Sequence, residues 1–312
     1  MKKIAFVFPG QGSQSVGMLD AWADHAIVQD VVSRAGAALG EDLGSLIAQG
    51  PAEQLNLTTH TQPAMLTASV AMYRAWIDAG GRVPDVMAGH SLGEYAALTA
   101  AGALTLEDAV RLVRVRADAM QAAVPVGAGA MAAILGLADE DVIAVCTAAA
   151  QGEVVEAVNF NAPMQVVIAG HKAAVERACE AARAAGAKRA LLLPVSAPFH
   201  SSLLEPASLV LAGALAQVEV SAPAVPVINN VDVRAPGEPQ DIRDALVRQA
   251  WHAVQWVQTL RVMKDEGITH VIECGPGKVL SGLTKRIEPD LVGLSITDPA
   301  SLNAALAVLS EN

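Results

Sequence analysis

One serine of this chain lies in a tight turn between a short apolar run and a helical pattern, which constrains the local fold strongly. Val83 to Ala88 is typical of a buried strand, and Gly89-His90-Ser91-Leu92-Gly93 follows it, directly before a helical pattern at Glu94 to Ala101. A serine on such a sharp turn is exposed, and glycines two positions before and after it relieve crowding where strand and helix nearly touch. The segment therefore predicts a nucleophile elbow with Ser91 at its tip. The alternative is an ordinary structural turn.

The rest of the chain alternates strand and helix patterns, which is typical of an α/β fold. Ile4 to Phe8 is an apolar run that ends in Pro9-Gly10-Gln11-Gly12, as expected for a buried strand with a glycine-rich turn, and a helix is predicted from about Met18. Between 125 and 197 the order becomes strand, helix, strand, strand, helix, strand, which is the ferredoxin-like arrangement. We therefore predict a larger, discontinuous α/β domain of residues 1–124 and 198–312, a ferredoxin-like insertion at 125–197, and a ligand cleft between them.

Composition and charge exclude several classes of protein. The 312 residues are 53% hydrophobic and 17% charged, against about 25% charged in an average soluble domain, which argues against disorder. The net charge is −11, and the 21 basic residues form no block interleaved with aromatics, so no nucleic-acid partner is expected. The apolar run at the start is shorter than the roughly seven residues of a secretory signal, and no run approaches the roughly 18 of a membrane span. We expect a soluble, cytoplasmic protein without a membrane partner.

The cysteines carry no sign of metal or redox chemistry. They lie far apart, at Cys146, Cys179 and Cys274, without C-x-x-C or Cys/His spacing. This pattern indicates a reducing compartment and no zinc site, and we expect all three thiols to be buried or inert.

A serine nucleophile needs a base, and His200 is the histidine that we favour among the seven in the chain. It stands in Pro194 to Ser202, where the insertion rejoins the larger domain. The other histidines lie at helix starts, in loops or in an apolar strand, and the His90 side chain, next to the serine, is expected to turn away. No acid is evident near His200, so a backbone carbonyl could orient its imidazole. The alternative is that His200 is an ordinary loop histidine whose ring nitrogens form structural hydrogen bonds.

Arg116 differs from the other arginines of the helix predicted at 106–123. Arg111 and Arg114 each have an acid four residues away and can form ordinary exposed ion pairs. Arg116 has apolar residues at those spacings. A buried guanidinium is costly unless it meets an anion, and a carboxylate is its bidentate match. Arg116 is therefore a candidate carboxylate ligand; the alternative is that it reaches water or a distant acid.

Two glycine-rich turns invite a nucleotide-binding interpretation, but neither matches a fingerprint. Gly10-x-Gly12-x-x-Ser15 and Gly275-x-Gly277-x-x-Leu280 both lack the third small residue at the required place, and Gly277-Lys278 is followed by Val279 rather than Ser or Thr. The first turn follows a strand expected in the same sheet as the elbow strand. Its N–H groups could therefore build an oxyanion hole with the N–H of Leu92.

Six segments of the chain form a distinctive ordered set: Pro9-Gly10-Gln11-Gly12-Ser13-Gln14, Gly89-His90-Ser91-Leu92-Gly93-Glu94-Tyr95, Gly129-Ala130-Met131, Asn159-Phe160-Asn161, Pro194-Val195-Ser196-Ala197-Pro198-Phe199-His200-Ser201 and Glu273-Cys274-Gly275-Pro276-Gly277-Lys278. In this order they resemble the malonyl-CoA:acyl carrier protein transacylase family, and the resemblance covers essentially the whole chain. It implies an α/β fold with a hydrolase-like core, a parallel sheet and a ferredoxin-like βαββαβ insertion.

The resemblance also implies catalytic roles. Ser91 would be the acylated nucleophile, His200 the general base and acid, and Arg116 the clamp on the malonyl carboxylate. Gln11 and Leu92 would supply the backbone donors of the oxyanion hole.

Two further residues acquire roles from the resemblance alone. Gln249 matches the family position whose main-chain carbonyl orients the histidine. Phe199, directly before His200, resembles the malonyl-selective version of that motif.

The activity implied is transfer of the malonyl group of malonyl-CoA to the phosphopantetheine thiol of holo acyl carrier protein in fatty acid biosynthesis. It would proceed through a malonyl-serine with ping-pong kinetics, without metal or cofactor, in a monomeric enzyme. The carrier is expected to be acidic, so a local basic rim must dock it despite the net charge of −11. Lys188-Arg189 or Lys285-Arg286 is the predicted rim; the alternative is two ordinary solvated pairs.

Two other function classes stay open from the sequence. A serine hydrolase or thioesterase acting on acyl thioesters would share the elbow and the oxyanion hole but would need no carboxylate clamp. A non-catalytic acyl-CoA-binding module would leave Ser91 unmodified.

Overall fold

The computed structural model describes residues 2–310. Its strands are β1 (Ile4–Phe8), β2 (Val86–Gly89), β3 (Gly129–Leu135), β4 (Val155–Ala162), β5 (Gln165–His171), β6 (Arg189–Leu192), β7 (Val227–Ile228), β8 (His270–Cys274) and β9 (Val292–Ile296). Its α-helices are α1 (Ala26–Leu39), α2 (Leu43–Gln49), α3 (Ala52–Leu55), α4 (Thr58–Asp78), α5 (Gly93–Ala100), α6 (Leu106–Ala123), α7 (Asp139–Ala150), α8 (Lys172–Ala184), α9 (Glu205–Leu215), α10 (Pro239–Gln249), α11 (Trp256–Asp265), α12 (Val279–Ile287) and α13 (Pro299–Ser310).

The larger of the two sheets is parallel and covered on both faces. Its strand order is β7-β2-β1-β8-β9. Because side chains alternate along a strand, Phe6 and Phe8 of β1 pack on one side with helices α1, α4, α5, α6 and α9, while Ala5 and Val7 pack on the other with α11 and α12. Burial on both faces explains why β1 is a continuous apolar run.

The second sheet is antiparallel and has the predicted ferredoxin-like arrangement. Its strand order is β4-β5-β3-β6, and α7 and α8 pack over one face around a separate apolar cluster. The larger domain contacts the antiparallel sheet where Val254, in the loop before α11, pairs with β4: the Val254 N–H donates to Val158 O at 2.9 Å. The α/β fold with a parallel sheet and a βαββαβ insertion is confirmed, and the exact insertion limits, 125 and 197, stay a prediction.

Two predicted elements differ from the structure. The elbow strand begins at Val86, not Val83, and Pro84, which has no N–H to donate to a strand ladder, lies between them. The helix predicted from Met18 is wrong: Gly17 adopts φ +77°, a single 3-10 turn follows, and α1 begins only at Ala26.

The cysteines lie where the sequence predicts them, buried and unpaired, at Cys146, Cys179 and Cys274. Burial raises the pKa of the Cys146 thiol to about 12 and also raises the pKa values of the other two. Between residues 2 and 310 no His, Cys, Asp and Glu side chains group into a set that could hold a metal ion. Over the same residues no helix has the length and apolar character to cross a bilayer.

Candidate active site

The turn between β2 and α5 has the crowded geometry that a nucleophile elbow requires. Ser91 adopts φ +52°, in the left-handed region. A Cβ placed on Gly89 would lie 1.8 Å from the carbonyl carbon of Gly93, and one on Gly93 would lie 2.0 Å from the Phe8 oxygen. Only glycine fits at either position, so the predicted reason for both glycines is confirmed.

The Ser91 hydroxyl lies against the histidine that the sequence favours. Ser91 Oγ is 2.7 Å from His200 Nε2, and His200 Nδ1 is 2.9 Å from the main-chain oxygen of Gln249. Because a carbonyl oxygen can only accept, Nδ1 carries the proton and Nε2 is left to accept from the serine hydroxyl. Burial, the main cause, and the charge of Arg116, the second cause, lower the pKa of His200 to about 3. The imidazole is therefore neutral at neutral pH.

Arg116 is buried at the bottom of the same site. Its Nη1 donates to Gln62 Oε1 at 2.7 Å, and its Nη2 donates to Ser91 Oγ and to Gln249 Oε1, both at 3.0 Å. The guanidinium carbon lies 5.6 Å from the centre of the Tyr95 ring. In the described part of the chain no carboxylate forms an ion pair with Arg116, and its Nε has no partner. The site therefore holds a cation whose partners are all neutral groups.

The other arginines of α6 do find acids, although not those predicted. Arg111 lies 3.6 Å from Asp108, three residues away. Arg114 pairs with Glu41, at 2.7 Å from Nη2 to Oε2, instead of with an acid of its own helix. Glu41 follows α1, which packs on α6, so tertiary packing decided this pair.

Two backbone N–H groups are available to a developing oxyanion. β1 pairs with β2 in parallel, with Phe8 opposite Gly89, so the turns that follow these strands lie side by side. Gln11 and Leu92 both line the cavity around Ser91. Within residues 2–310 neither of their N–H groups donates to another protein group. The structure thus brings both residues predicted to be donors to the cavity, and their role as donors stays a prediction.

The cavity around Ser91 has a volume of about 690 Å³ and lies between the two sheets, as the predicted cleft requires. Half-buried Phe199 forms part of its wall together with Met131 and Val167 of the antiparallel sheet. His90 also lines the cavity, but its Nε2 lies 2.7 Å from Asn161 Oδ1 and takes no part in the contact with Ser91.

The second glycine-rich turn packs against the first. A Cβ on Gly275, whose φ is +146°, would lie 2.7 Å from Pro9, and one on Gly277 would lie 3.0 Å from Ser13. Close approach of two turns explains these glycines without any phosphate.

Several residues of the site were missed by sequence reasoning. Asn230 Oδ1 accepts the Ser91 N–H at 2.7 Å, while its Nδ2 donates to the Gly89 oxygen at 2.7 Å. Gln62 binds Arg116, and Glu94 binds both Asn230 and the Gln249 side chain. For Asn230 a signal existed, because polar residues just past the carboxyl end of a parallel strand, here β7, commonly face the ligand cleft.

Comparison with known proteins agrees with this geometry. A family model described as acyl transferase domain matches residues 5–282. The malonyl CoA-acyl carrier protein transacylase of Escherichia coli (strain K12) is 57% identical over 307 residues, which cover 98% of this chain and 99% of that protein. The protein of the same name from Bacillus subtilis (strain 168) is 44% identical over 313 residues, covering 100% and 98%.

Solved structures give the same result. The acyl-carrier-protein S-malonyltransferase from Burkholderia pseudomallei 1710b matches with a TM-score of 0.97 at 64% identity, covering 98% of this chain and 99% of that one. A malonyl-transacylase in complex with a type II PKS acyl-carrier protein matches with a TM-score of 0.97 at 50% identity, covering 98% and 100%. The chain therefore belongs to the acyl transferase domain family and, within it, to the malonyl CoA-acyl carrier protein transacylases.

Proposed function

We propose that this protein is an acyltransferase that moves the malonyl group of malonyl-CoA to the phosphopantetheine thiol of holo acyl carrier protein, in fatty acid biosynthesis. One observation carries the proposal: Ser91 Oγ lies between a neutral base, His200 Nε2 at 2.7 Å, and an unpaired cation, Arg116 Nη2 at 3.0 Å. A nucleophile beside a carboxylate-binding group suits an acyl group that ends in a carboxylate. The names of the relatives agree with this substrate and this acceptor.

The first half-reaction forms a malonyl ester. His200 Nε2 takes the hydroxyl proton as Ser91 Oγ attacks the thioester carbonyl, and the N–H groups of Gln11 and Leu92 stabilise the oxyanion. The tetrahedral intermediate collapses, the carbon–sulfur bond breaks, and His200 returns the proton to the departing thiolate of coenzyme A. The Gln249 carbonyl accepts from Nδ1 and orients the ring throughout, which leaves Nε2 free to take the proton and to return it.

The second half-reaction reverses these steps with a different thiol. The phosphopantetheine thiol of the carrier gives its proton to His200 and attacks the malonyl ester, and Ser91 recovers its proton when the ester bond breaks. A shared covalent intermediate gives ping-pong kinetics. The two half-reactions need only the malonyl-CoA thioester and the carrier thiol, so we propose an enzyme without cofactor or metal. We also propose that it acts as a cytoplasmic monomer.

Acyl selectivity follows from how close the clamp is to the nucleophile. In a malonyl ester the carboxylate is separated from the ester carbonyl by a single methylene, and the Arg116 guanidinium lies within hydrogen-bond distance of Ser91 Oγ. A longer diacid would overshoot this cation. Phe199, in the wall of the cavity, would limit the space available to bulkier acyl groups.

The proposal is tested by an intact-mass spectrum of the purified protein mixed with malonyl-CoA, before and after addition of holo acyl carrier protein. We expect a single malonyl adduct that moves to the carrier. An adduct that decays to free malonate in the presence of the carrier would favour the serine hydrolase or thioesterase. A protein that is never modified would favour the binding module.

Arg116→Ala should separate the clamp from the rest of the catalytic machinery. Removing one partner of a buried charge pair costs about 2–5 kcal/mol, so kcat/KM for malonyl-CoA should fall roughly 30- to several thousand-fold. An acetyl group has no carboxylate and should lose far less. Stopped-flow acylation with malonyl-CoA and acetyl-CoA measures both losses.

Arg111→Ala is the matched control, because Arg111 lies on the same helix with an exposed side chain. It should leave both substrates unaffected. Equal losses of malonyl and acetyl transfer in Arg116→Ala would refute the clamp role.

The two predicted basic pairs lie near the same end of the antiparallel sheet. Leu135 is opposite both Gln165 and Arg189, which puts the ends of β5 and β6 about 10 Å apart. Arg286 Nη1, from the last turn of α12, donates to Gln165 Oε1. Lys188-Arg189 and Lys285-Arg286 are all exposed, and we propose that together they form the rim that docks the acidic carrier.

Reversing the charge of both pairs should raise the KM for the carrier about tenfold or more, with the effect shrinking at high salt. The KM for malonyl-CoA should not change, and steady-state kinetics with each substrate varied in turn would measure both. Lys172→Glu, an exposed reversal elsewhere on the insertion, is the matched control. Unchanged carrier kinetics would remove the rim and leave two ordinary solvated pairs.

A further inference from the structure

A buried carboxyl group, Glu94, lies directly behind the site and takes no part in the steps above. Glu94 is in the first turn of α5 and is 2% exposed. Its Oε2 accepts two hydrogen bonds, from the Asn230 N–H at 2.9 Å and from Gln249 Nε2 at 3.0 Å. A carboxyl group that is buried to this extent needs such partners, because desolvation opposes its charge.

The two residues that Glu94 holds are the two that position the reacting groups. Asn230 binds the N–H of Ser91 through its side-chain oxygen at 2.7 Å. Gln249 Nε2 donates to the main-chain oxygen of Ser91 at 2.9 Å, and the main-chain oxygen of Gln249 orients His200. One carboxylate oxygen therefore stands a single residue away from both the nucleophile and the base.

The same carboxylate balances the charge of the clamp. The side-chain amide of Gln249 is sandwiched between two ions: its oxygen accepts from Arg116 Nη2, and its Nε2 donates to Glu94 Oε2, each at 3.0 Å. The amide dipole thus has its negative end at the cation and its positive end at the anion. In the described chain Arg116 has no ion-pair partner, and Glu94 is the carboxylate that is linked to it through the Gln249 amide.

The groups around Glu94 shift its pKa in both directions: some raise it and others lower it. Burial raises the pKa of Glu94 to about 7, while its hydrogen bonds and the charge of Arg116 oppose that rise. Asp232, in the loop after β7, adds to the rise. Arg248 of α10 and the Tyr95 hydroxyl of α5 also interact with the carboxylate electrostatically. Glu94 can therefore change its charge near neutral pH.

We propose that Glu94 is a positioning and charge-compensating residue for Arg116, ionised when the clamp is empty and protonated when the carboxylate of malonyl-CoA occupies it. This inference rests on the proposed function, in which Arg116 binds the malonyl carboxylate. Two anions around one buried cation repel each other strongly at low dielectric, so the arrival of the second favours protonation of the first. The malonyl carboxylate touches the guanidinium directly and stays ionised; Glu94, one amide further away, takes the proton from solvent.

Binding calorimetry with a chain that cannot be acylated tests this. The Ser91→Ala variant is titrated at pH 7 with malonyl-CoA and with CoA, in two buffers of different ionisation enthalpy, which gives the protons taken up per ligand. We expect several tenths of a proton more for malonyl-CoA than for CoA. Between pH 6 and 8 the ratio of the two affinities should fall several-fold, within the limit of tenfold per pH unit for one linked proton.

Both ligands carry the CoA phosphates, so subtracting the proton uptake measured with CoA from that measured with malonyl-CoA removes the contribution of those phosphates. A Ser91→Ala, Glu94→Gln double variant keeps an oxygen that can accept from Asn230 and Gln249 but has no charge. It should bind malonyl-CoA more tightly at pH 8 and show no excess proton uptake, with the affinity ratio independent of pH.

The outcomes separate this inference from the function on which it rests. If malonyl-CoA binds no more tightly than CoA, the Arg116 clamp itself is wrong. If malonyl-CoA binds more tightly but takes up no extra proton, the role of Glu94 is overturned while the clamp stands. The measurement on Ser91→Ala alone decides this even if the double variant does not fold, and excess uptake that persists in a folded double variant would also overturn it.

Discussion

Ser91→Ala is expected to leave a folded protein that forms no malonyl adduct and transfers nothing to the carrier. The Ser91 hydroxyl contacts both a base, His200 Nε2 at 2.7 Å, and a cation, Arg116 Nη2 at 3.0 Å. Loss of the serine from such a catalytic unit lowers kcat by about 10⁶-fold, which places transfer below detection. Intact-mass spectrometry measures the adduct, and a radiolabelled carrier assay measures the transfer.

The fold should survive this change, because an alanine at this φ is no more strained than the serine and the Asn230 bond is made to the backbone. The melting temperature therefore serves as the control for structure. Ser196→Ala, an exposed serine of the segment that leads to His200, is the matched control and should keep the full adduct. A stoichiometric adduct on Ser91→Ala would mean that another side chain is the nucleophile.

His200→Ala should slow acylation by about 10²–10⁴-fold, the contribution of a well-placed general base, without preventing it. Ser91 is still present, so the adduct should accumulate slowly to the same final level. Single-turnover mass spectrometry over seconds to hours distinguishes a slow adduct from an absent one. His25→Gln is the control, because His25 does not line the cavity, and it should react at the unaltered rate.

The pH profile gives this prediction a second test. Burial and the charge of Arg116 lower the pKa of His200 to about 3, so the base is already neutral at pH 5. A depressed pKa means that the active, neutral form is lost only as the pH falls through that low value. The kcat/KM for malonyl-CoA should therefore not fall between pH 7 and pH 5 in the parent enzyme. An acid limb near pH 6.5 that disappears with the base would contradict it.

Local chain features determined part of this site. Gly89 and Gly93 bracket Ser91 because strand and helix nearly touch there, which is a constraint between residues a few positions apart. The apolar neighbours of Arg116 along α6 likewise revealed its burial, since helical periodicity shows which face a side chain occupies. The order of strand and helix patterns was sufficient to predict the α/β fold and its ferredoxin-like insertion.

The resemblance to a known family supplied what local reasoning could not. No acid stands near His200 in the sequence, and only the family motif pointed to the carbonyl of Gln249, 49 residues away, as its partner. For Gln11, local reasoning pointed to its turn and the resemblance to the residue itself. Gln11 reaches the site because β1 and β2 are neighbours in the parallel sheet.

By itself, then, the sequence determined the elbow, the burial of Arg116 and the α/β fold with its ferredoxin-like insertion, because each depends on the periodicity or crowding of adjacent residues. Only the tertiary structure decided that Gln62, Asn230, Glu94 and the side chain of Gln249 join around Ser91. Glu94 is 136 residues from Asn230 and 155 from Gln249. Hydrogen bonds over such separations are set by how β7 and α10 pack against the elbow, and a one-dimensional pattern carries no record of that packing.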